Sequence, residues 1–280
     1  MDALDGKGTI VYSTVTAEKR SQGESKMQHQ IQRYGWIHDL PDHRDFLYAA
    51  PMAVLGSLPT KVDMRDRCPA VYDQGQLGSC TANAIGGAME FELIKENAKD
   101  VFVPSRLFIY YNERVIEGTV DSDSGAQIRD GIKSVASQGA PHEELWPYDI
   151  AKFADKPDPA AYDDALKHEA TLYQRLVQVL SQLKGCLAAG NPFVFGFTVY
   201  ESFESQEVAN TGVVPMPGPN EQVLGGHAVL AVGYDDSEQR FIVRNSWGPN
   251  WGMKGYFTIP YTYLIDQNLA SDFWTIKMVK

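Results

Sequence analysis

Polar and apolar positions change period along the chain, and the change predicts its architecture. From Cys80 to Glu96, Ala84, Ala88 and Phe91 fall on one side with Ile85 and Met89 beside them, the spacing of a helix. Gly86-Gly87 interrupts it at about 1 kcal/mol per residue, so another segment is expected to approach closely there. A second helix is expected over Pro104–Arg114, with Pro near its first turn. A third covers Ala126–Ser137, where Ile128, Ile132, Val135 and Ala136 share a face and Gly139 provides the stop. Residues 150–167, rich in Asp, Lys, Pro and Ala, read as a linking excursion. After a helix near Leu176–Ala189 the pattern turns to strands: Pro192–Val199, His227–Gly233, Phe241–Arg244, Tyr256–Ile259 and Asp272–Val279. In the last, Trp274, Ile276 and Met278 form one apolar face opposite Phe273, Thr275 and Lys277. A helical half thus precedes a strand-rich half, an α+β pattern of two lobes with a cleft between them.

Residues 1–57 stand apart. Thr14–Arg33 is polar without an apolar period and reads as flexible or loosely docked. Tyr34–Tyr48 is dense in aromatics and turn residues and too short for its own core, so Tyr34, Trp36, Phe46 and Tyr48 are expected to anchor it on the body. The expected division is an N-terminal segment over 1–57, a helical lobe over 58–167 and a β-rich lobe over 168–280, with 58–65 able to pack on the second lobe.

Composition narrows the function. The net charge of −11 argues against nucleic-acid binding, which needs clustered Lys and Arg. No apolar run approaches the roughly 18 residues of a membrane-spanning helix. Met1–Lys7 lacks the basic and apolar parts of a secretory signal, so a cytoplasmic location is the expectation, and a monomer is expected. Of three cysteines, Cys68 and Cys186 read either as small buried hydrophobes or as one bridge. The absence of CxxC or Cys/His metal spacing argues against a structural zinc, and no cofactor is expected.

The chemistry concentrates in four residues. Cys80 follows Gly78-Ser79 at a helix start, where free N–H groups and the helix dipole favour a thiolate. Gln74, six residues earlier on a Gly-bearing loop, can bring an amide donor to an oxyanion beside the Cys80 N–H. His227, behind Gly225-Gly226, can take the thiol proton, with Gly226 leaving room for a substrate backbone. Asn245, in Arg244-Asn245-Ser246-Trp247-Gly248, can orient the imidazole, and Trp247 can shield that hydrogen bond. Trp247 and Trp251 serve equally well as core anchors. The His and Asn follow Cys80 by 147 and 165 residues, the first within and the second somewhat beyond the roughly 130–150 of one known Cys/His/Asn order.

Together with Leu58-Pro59-Thr60-Lys61-Val62-Asp63-Met64-Arg65, the strand from His227 to Tyr234, and Trp251-Gly252 with Gly255-Tyr256, these frames resemble the papain family over roughly residues 58–280. The resemblance implies a papain-like two-lobe fold and a cysteine peptidase acting on protein or peptide substrates. In it Gln74 is the oxyanion residue, Cys80 the nucleophile, His227 base and acid, and Asn245 the orienter. It also implies that Ser124-Gly125-Ala126 is the cleft edge pairing with substrate backbone. Three positions depart from the family: Thr81 follows the nucleophile in place of Trp, Leu77 replaces a disulfide Cys, and Ala126 stands where Gly is usual. The first 57 residues resemble those of bacterial papain-type enzymes with short propeptides, which implies that the chain's own N-terminal segment inhibits it as a zymogen. Two other readings of the same residues are a thiol amidase or acyltransferase on cell-wall or side-chain amides, and a catalytically silent binding protein.

Overall fold

The computed structural model describes residues 34–278. The chain opens with two short strands, β1 (Trp36–Ile37) and β2 (Leu47–Tyr48), then α1 (Met52–Leu55) and β3 (Lys61–Asp63). Next come α2 (Cys80–Lys95), α3 (Arg106–Glu117), β4 (Ala126–Gln127), α4 (Ile128–Gln138) and α5 (Pro159–Ala165). The second half holds β5 (Leu172–Leu176), α6 (Leu180–Ala188), β6 (Phe193–Tyr200), α7 (Gln206–Thr211) and β7 (Val223–Asp235). It closes with β8 (Arg240–Arg244), β9 (Tyr256–Pro260), α8 (Tyr261–Ile265) and β10 (Ala270–Lys277).

α2 joins the two halves. Every residue from Cys80 to Leu93 is buried, because the helix packs against α3 and α4 on one side and against β7 and β10 on the other. The one-sided apolar face read from its sequence is therefore wrapped all round. Its polar residues are answered individually: Thr81 Oγ1 donates to Glu113 Oε1 at 2.5 Å, and Glu92 pairs with Lys95 at 2.7 Å. The glycine pair has the expected cause. A Cβ on Gly87 would meet Arg244 Nε at 3.2 Å, and one on Gly86 would meet Arg106 Cγ at 3.2 Å. Arg244 continues past the helix to the carbonyls of Pro69 and Ala70 at 3.1 and 2.7 Å.

The main sheet runs β2-β5-β10-β6-β7-β8-β9, with β3 also paired to β7. It is antiparallel apart from the β2–β5 pair. β10 lies inside it, so Phe273 and Thr275 are as buried as Trp274 and Ile276, and the expected alternation does not become an inside and an outside.

Several elements differ from the sequence expectation. The second helix starts at Arg106, capped by Ser105 Oγ accepting from the Phe108 N–H at 3.2 Å, and Pro104 lies outside it in a bridge to His142. Ala126–Gln127 is strand rather than helix because it pairs with β1 in parallel register. The excursion over 150–167 is packed: Ala161 and Ala165 of α5 are fully buried, and Tyr162 meets the Phe108 ring edge-on at 4.8 Å. Phe46 is 69% exposed and only its carbonyl holds the segment, accepting from the Arg175 N–H at 2.8 Å, whereas Trp36 and Tyr48 are buried as expected and Tyr34 partly so.

Candidate active site

Three segments converge at the start of α2. The loop before it is clamped to the turn after β8: the Gln74 N–H donates to the Ser246 carbonyl at 2.8 Å, and Asp73 bridges Trp247. The fully buried Gln74 amide is fixed at both ends, its Oε1 accepting from Ser246 Oγ at 2.6 Å and its Nε2 donating to the Leu77 carbonyl at 2.9 Å. Asp123 holds the last part of this loop, accepting from the Gly78 N–H at 3.0 Å and from the Tyr110 hydroxyl. Cys80 is then the first residue of α2, completely buried.

His227 lies in β7 opposite Phe197 of β6 and is also completely buried. Its Nε2–H donates to Asn245 Oδ1 at 2.8 Å, which also accepts from the Ser246 N–H at 2.9 Å. His227 Nδ1 has no hydrogen-bond partner among the described residues. Trp247 stacks on the imidazole at 5.2 Å between centroids, and Trp251 meets Trp247 edge-on at 5.1 Å. Trp247 therefore covers the imidazole, and Trp251 anchors Trp247 in the core through Phe203 and Phe257.

The chain's own residues 34–37 fill the cleft. Ala126 N–H donates to the Gly35 carbonyl at 2.7 Å, and β1 runs parallel to β4 with Trp36 opposite Ala126. A Cβ on Gly35 would overlap the Gly78 backbone and one on Gly125 would overlap the Gly35 backbone, so bare backbone is what fits. A Cβ on Gly226 would stand 2.6 Å from Trp36 Cε3. Tyr34 meets the His227 ring edge-on at 6.1 Å, and its hydroxyl donates to Glu204. Gly125, Ala126 and Gly226 thus face the segment directly, whereas Ser124 turns its hydroxyl to Thr119 Oγ1 at 2.9 Å and the Gly125 carbonyl at 3.0 Å. The polar stretch Thr14–Arg33 lies outside the described residues.

Enclosure controls the electrostatics. Burial pushes the Cys80 thiol up to about 12, against backbone N–H groups of Ala228, Gly35 and Thr81 that favour the thiolate. Burial likewise lowers His227 to about 4, with the Asn245 hydrogen bond pulling the other way. Burial thus favours the neutral form of each group.

Sequence reasoning missed several residues here. Glu113 lies buried behind Thr81, its carboxyl raised well above the usual range by burial; ionised, it would push the Cys80 thiol higher still. Its companion, Thr81, was visible only as a departure. Asp272 accepts from Trp36 Nε1 at 3.2 Å, and a Cβ on Gly196 would overlap the Trp36 ring. The glycine in the middle of Phe193–Val199 marks a close approach without saying which segment makes it. All three cysteines are free thiols, so the bridge reading of Cys68 and Cys186 is set aside.

Comparison with known proteins covers most of the chain. The model of the papain family cysteine proteases matches residues 58–271. The sequence is 43% identical over 270 residues to an uncharacterized peptidase C1-like protein of Acanthamoeba polyphaga mimivirus, covering 88% of this chain and 87% of that one. The structure is similar to xylellain, a cysteine protease from Xylella fastidiosa, with TM-score 0.84 and 46% identity over 90% of this chain and 98% of that one. A procathepsin B of Trypanosoma congolense shares the fold at 18% identity, with TM-score 0.71 over 88% of this chain and 87% of its own.

Proposed function

Because the chain belongs to the papain family and is a papain-like cysteine peptidase, we propose that it is an endopeptidase in which Cys80, His227, Asn245 and Gln74 divide the work. The carrying observation is the buried His227, with Nε2–H committed to Asn245 at 2.8 Å and Nδ1 left without a partner among the described residues. That arrangement fixes one tautomer and leaves one basic nitrogen. In this reading Nδ1 takes the Cys80 proton, and the sulfur attacks the scissile carbonyl carbon. The resulting oxyanion accepts hydrogen bonds from the Cys80 N–H and the Gln74 amide, whose orientation is held by Ser246 and Leu77. His227 returns its proton to the leaving amine as the C–N bond breaks, giving a thioester. It then takes a proton from water, whose oxygen displaces the sulfur and frees the acid.

The N-terminal 57 residues act as a propeptide-like inhibitor in this reading, a zymogen arrangement. The occupied cleft supports it, and so does the burial that favours the neutral forms of Cys80 and His227. Two parts of the segment have different attachments. Residues 34–37 lie on the cleft, whereas Tyr48, Ala50 and α1 pack on the β-rich side, where a Cβ on Gly185 would meet Ala50 Cβ at 2.6 Å. The lobe limits, 58–167 and 168–280, are proposed with the β-rich lobe extended by β3, which pairs with β7.

The test is hydrolysis of a peptide library by the full chain, by a form lacking the cleft segment, and by Cys80→Ala. Peptide cleavage that is enhanced on removing the segment and lost in Cys80→Ala is expected. Cleavage retained by Cys80→Ala would overturn the nucleophile, and turnover of side-chain or cell-wall amides alone would favour the amidase reading.

A further inference from the structure

At the other end of α2, about 24 Å of helix from Cys80, three chain segments bring metal-binding side chains together. Asp100 follows α2, His142 follows α4 and His168 follows α5, and one potential ligand atom from each lies within 4.8 Å of the others. They line a cavity of about 720 Å³ together with Glu96, Asp164 and Glu169.

His142 is set in one orientation from behind. Its Nδ1 donates to Asp164 Oδ2 at 2.8 Å, and its backbone N–H donates to the same oxygen at 3.1 Å. Nε2 is left facing Asp100 Oδ2 at 3.3 Å. Two ligands each about 2.0–2.1 Å from a tetrahedral ion stand about 3.3–3.4 Å apart, so this pair already has the spacing of one edge of a coordination shell. Phe102 stacks on His142 at 4.1 Å and lies 4.4 Å from the His168 ring, supporting both imidazoles.

We propose that Asp100, His142 and His168 bind a divalent transition metal of the zinc type, with water completing the shell. Two imidazoles and one carboxylate suit zinc and not calcium or magnesium, which prefer all-oxygen shells. Asp164 is the outer partner that fixes a ligating imidazole. Three further acids line the cavity (Glu96, Asp164, Glu169), against Lys99 and Lys167, which favours a cation. The ion would tie the ends of α2, α4 and α5 into one unit. Spacing rules argued against zinc because the ligands are 42 and 26 residues apart and only the fold joins them.

The experiment uses the full chain with Cys80→Ser, so that the cleft thiol cannot capture the probe. The chelator-treated protein is titrated with Co²⁺, then Zn²⁺. One equivalent of Co²⁺ should give the visible bands of a four-coordinate site, Zn²⁺ should displace it, and Zn²⁺ should raise the thermal midpoint. His142→Gln and His168→Gln should abolish the bands, Asp164→Asn should weaken binding about 10- to 100-fold, and His43→Gln should change nothing. Asp100 is 60% exposed at its side chain, so Asp100→Asn should fold normally and lose affinity; it decides the matter if a histidine variant fails to fold. No saturable binding, or binding that survives Asp100→Asn and both histidine changes, would overturn the site and leave only an Asp–His ion-pair chain.

Discussion

Trp36 donates its indole N–H to Asp272 Oδ2 at 3.2 Å, joining the N-terminal segment to the last strand of the sheet. The ring occupies space that a Cβ at Gly196 or Gly226 would take, so wall and occupant are shaped to each other. The segment is therefore held by a fitted aromatic side chain as well as by the backbone bond from Ala126 to Gly35. In the proposed reading, substrate would have to displace the segment from the Ala126 edge.

Trp36→Ala should release the cleft. Truncating a buried Trp typically costs about 3–5 kcal/mol, and here most of that cost falls on the docked segment. Hydrolysis of a small peptide substrate and alkylation of Cys80 by iodoacetamide should both accelerate, with little change in the thermal midpoint of the body. If both rates match those of the unaltered chain, residues 34–37 do not gate the site.

Deletions should separate the two attachments. Removing residues 1–33 leaves Tyr34–Ile37 on the cleft and should change activity little. Removing 1–40 should raise activity while keeping the body stable, because Tyr48 and Ala50 remain buried. Removing 1–57 also strips Tyr48 and Leu55 from the β-rich side and should lower stability by about 2–5 kcal/mol. Peptidase assays and denaturant melts on the three forms check this order; full activity after removal of 1–33 would place the inhibitory contact upstream of Tyr34.

Gln74→Ala should lower turnover about 100- to 1000-fold, the usual effect of losing one oxyanion donor. The same change frees the Ser246 hydroxyl and the Leu77 carbonyl, adding about 1–3 kcal/mol of destabilisation. Comparing kcat with the thermal midpoint separates the two effects, and Gln74→Glu, which keeps the acceptor but loses the donor, should lose turnover equally. Wild-type turnover in either variant would assign the oxyanion to another group.

The three free thiols predict indifference to reductant. Cys68 Sγ donates to the Met64 carbonyl and Cys186 Sγ to the Asn191 carbonyl, each at 3.4 Å. Thermal unfolding with and without dithiothreitol should give the same midpoint. A fall of more than the few degrees worth about 1 kcal/mol would reveal a bridge.

The candidate site was legible because each member carries a local frame: Cys80 behind Gly78-Ser79, His227 behind Gly225-Gly226, and Asn245 before Ser246-Trp247. Long helices and core strands were legible from period alone. β5 was not, since Leu172–Leu176 owes its strand to β2 and β10 on either side. The cleft-filling role of Gly35 and Trp36 was also hidden, because it depends on glycines at 78, 125, 196 and 226 that only the fold assembles. The aromatic density of Tyr34–Tyr48 showed that the segment docks, but Phe46 and Trp36 look equally apolar in sequence and only one meets a fitted wall.

Asp39 should make docking of the segment depend on pH. It is buried beside Asp272, whose Oδ2 accepts from the Asp39 N–H at 2.9 Å, and its own oxygens accept from the Arg129 N–H at 3.0 Å and Trp274 Nε1 at 2.8 Å. Burial, then the neighbouring Asp272 charge, raises its carboxyl to about 7, against the hydrogen bonds from the Arg129 N–H and Trp274 and, last, the Arg129 charge. Arg175, 3.6 Å from Asp272, and His38 offset the second carboxylate, which burial raises as well. A carboxyl raised in the docked state favours docking when protonated, so docking should weaken as pH rises from about 4 through about 7. His227, lowered to about 4 under cover, acts in the opposite sense, weakening docking as pH falls toward 4 to the extent that uncovering the ring relieves its burial. Asp39→Asn keeps one of the two accepted hydrogen bonds and removes the titration. The variant should lose the rising-pH release and keep the acid one. Hydrogen exchange at the Ala126 N–H, corrected for intrinsic rate at each pH, reads docking without using the thiol. An unchanged slope between pH 5 and 8 in the variant would show that Asp39 does not carry the dependence.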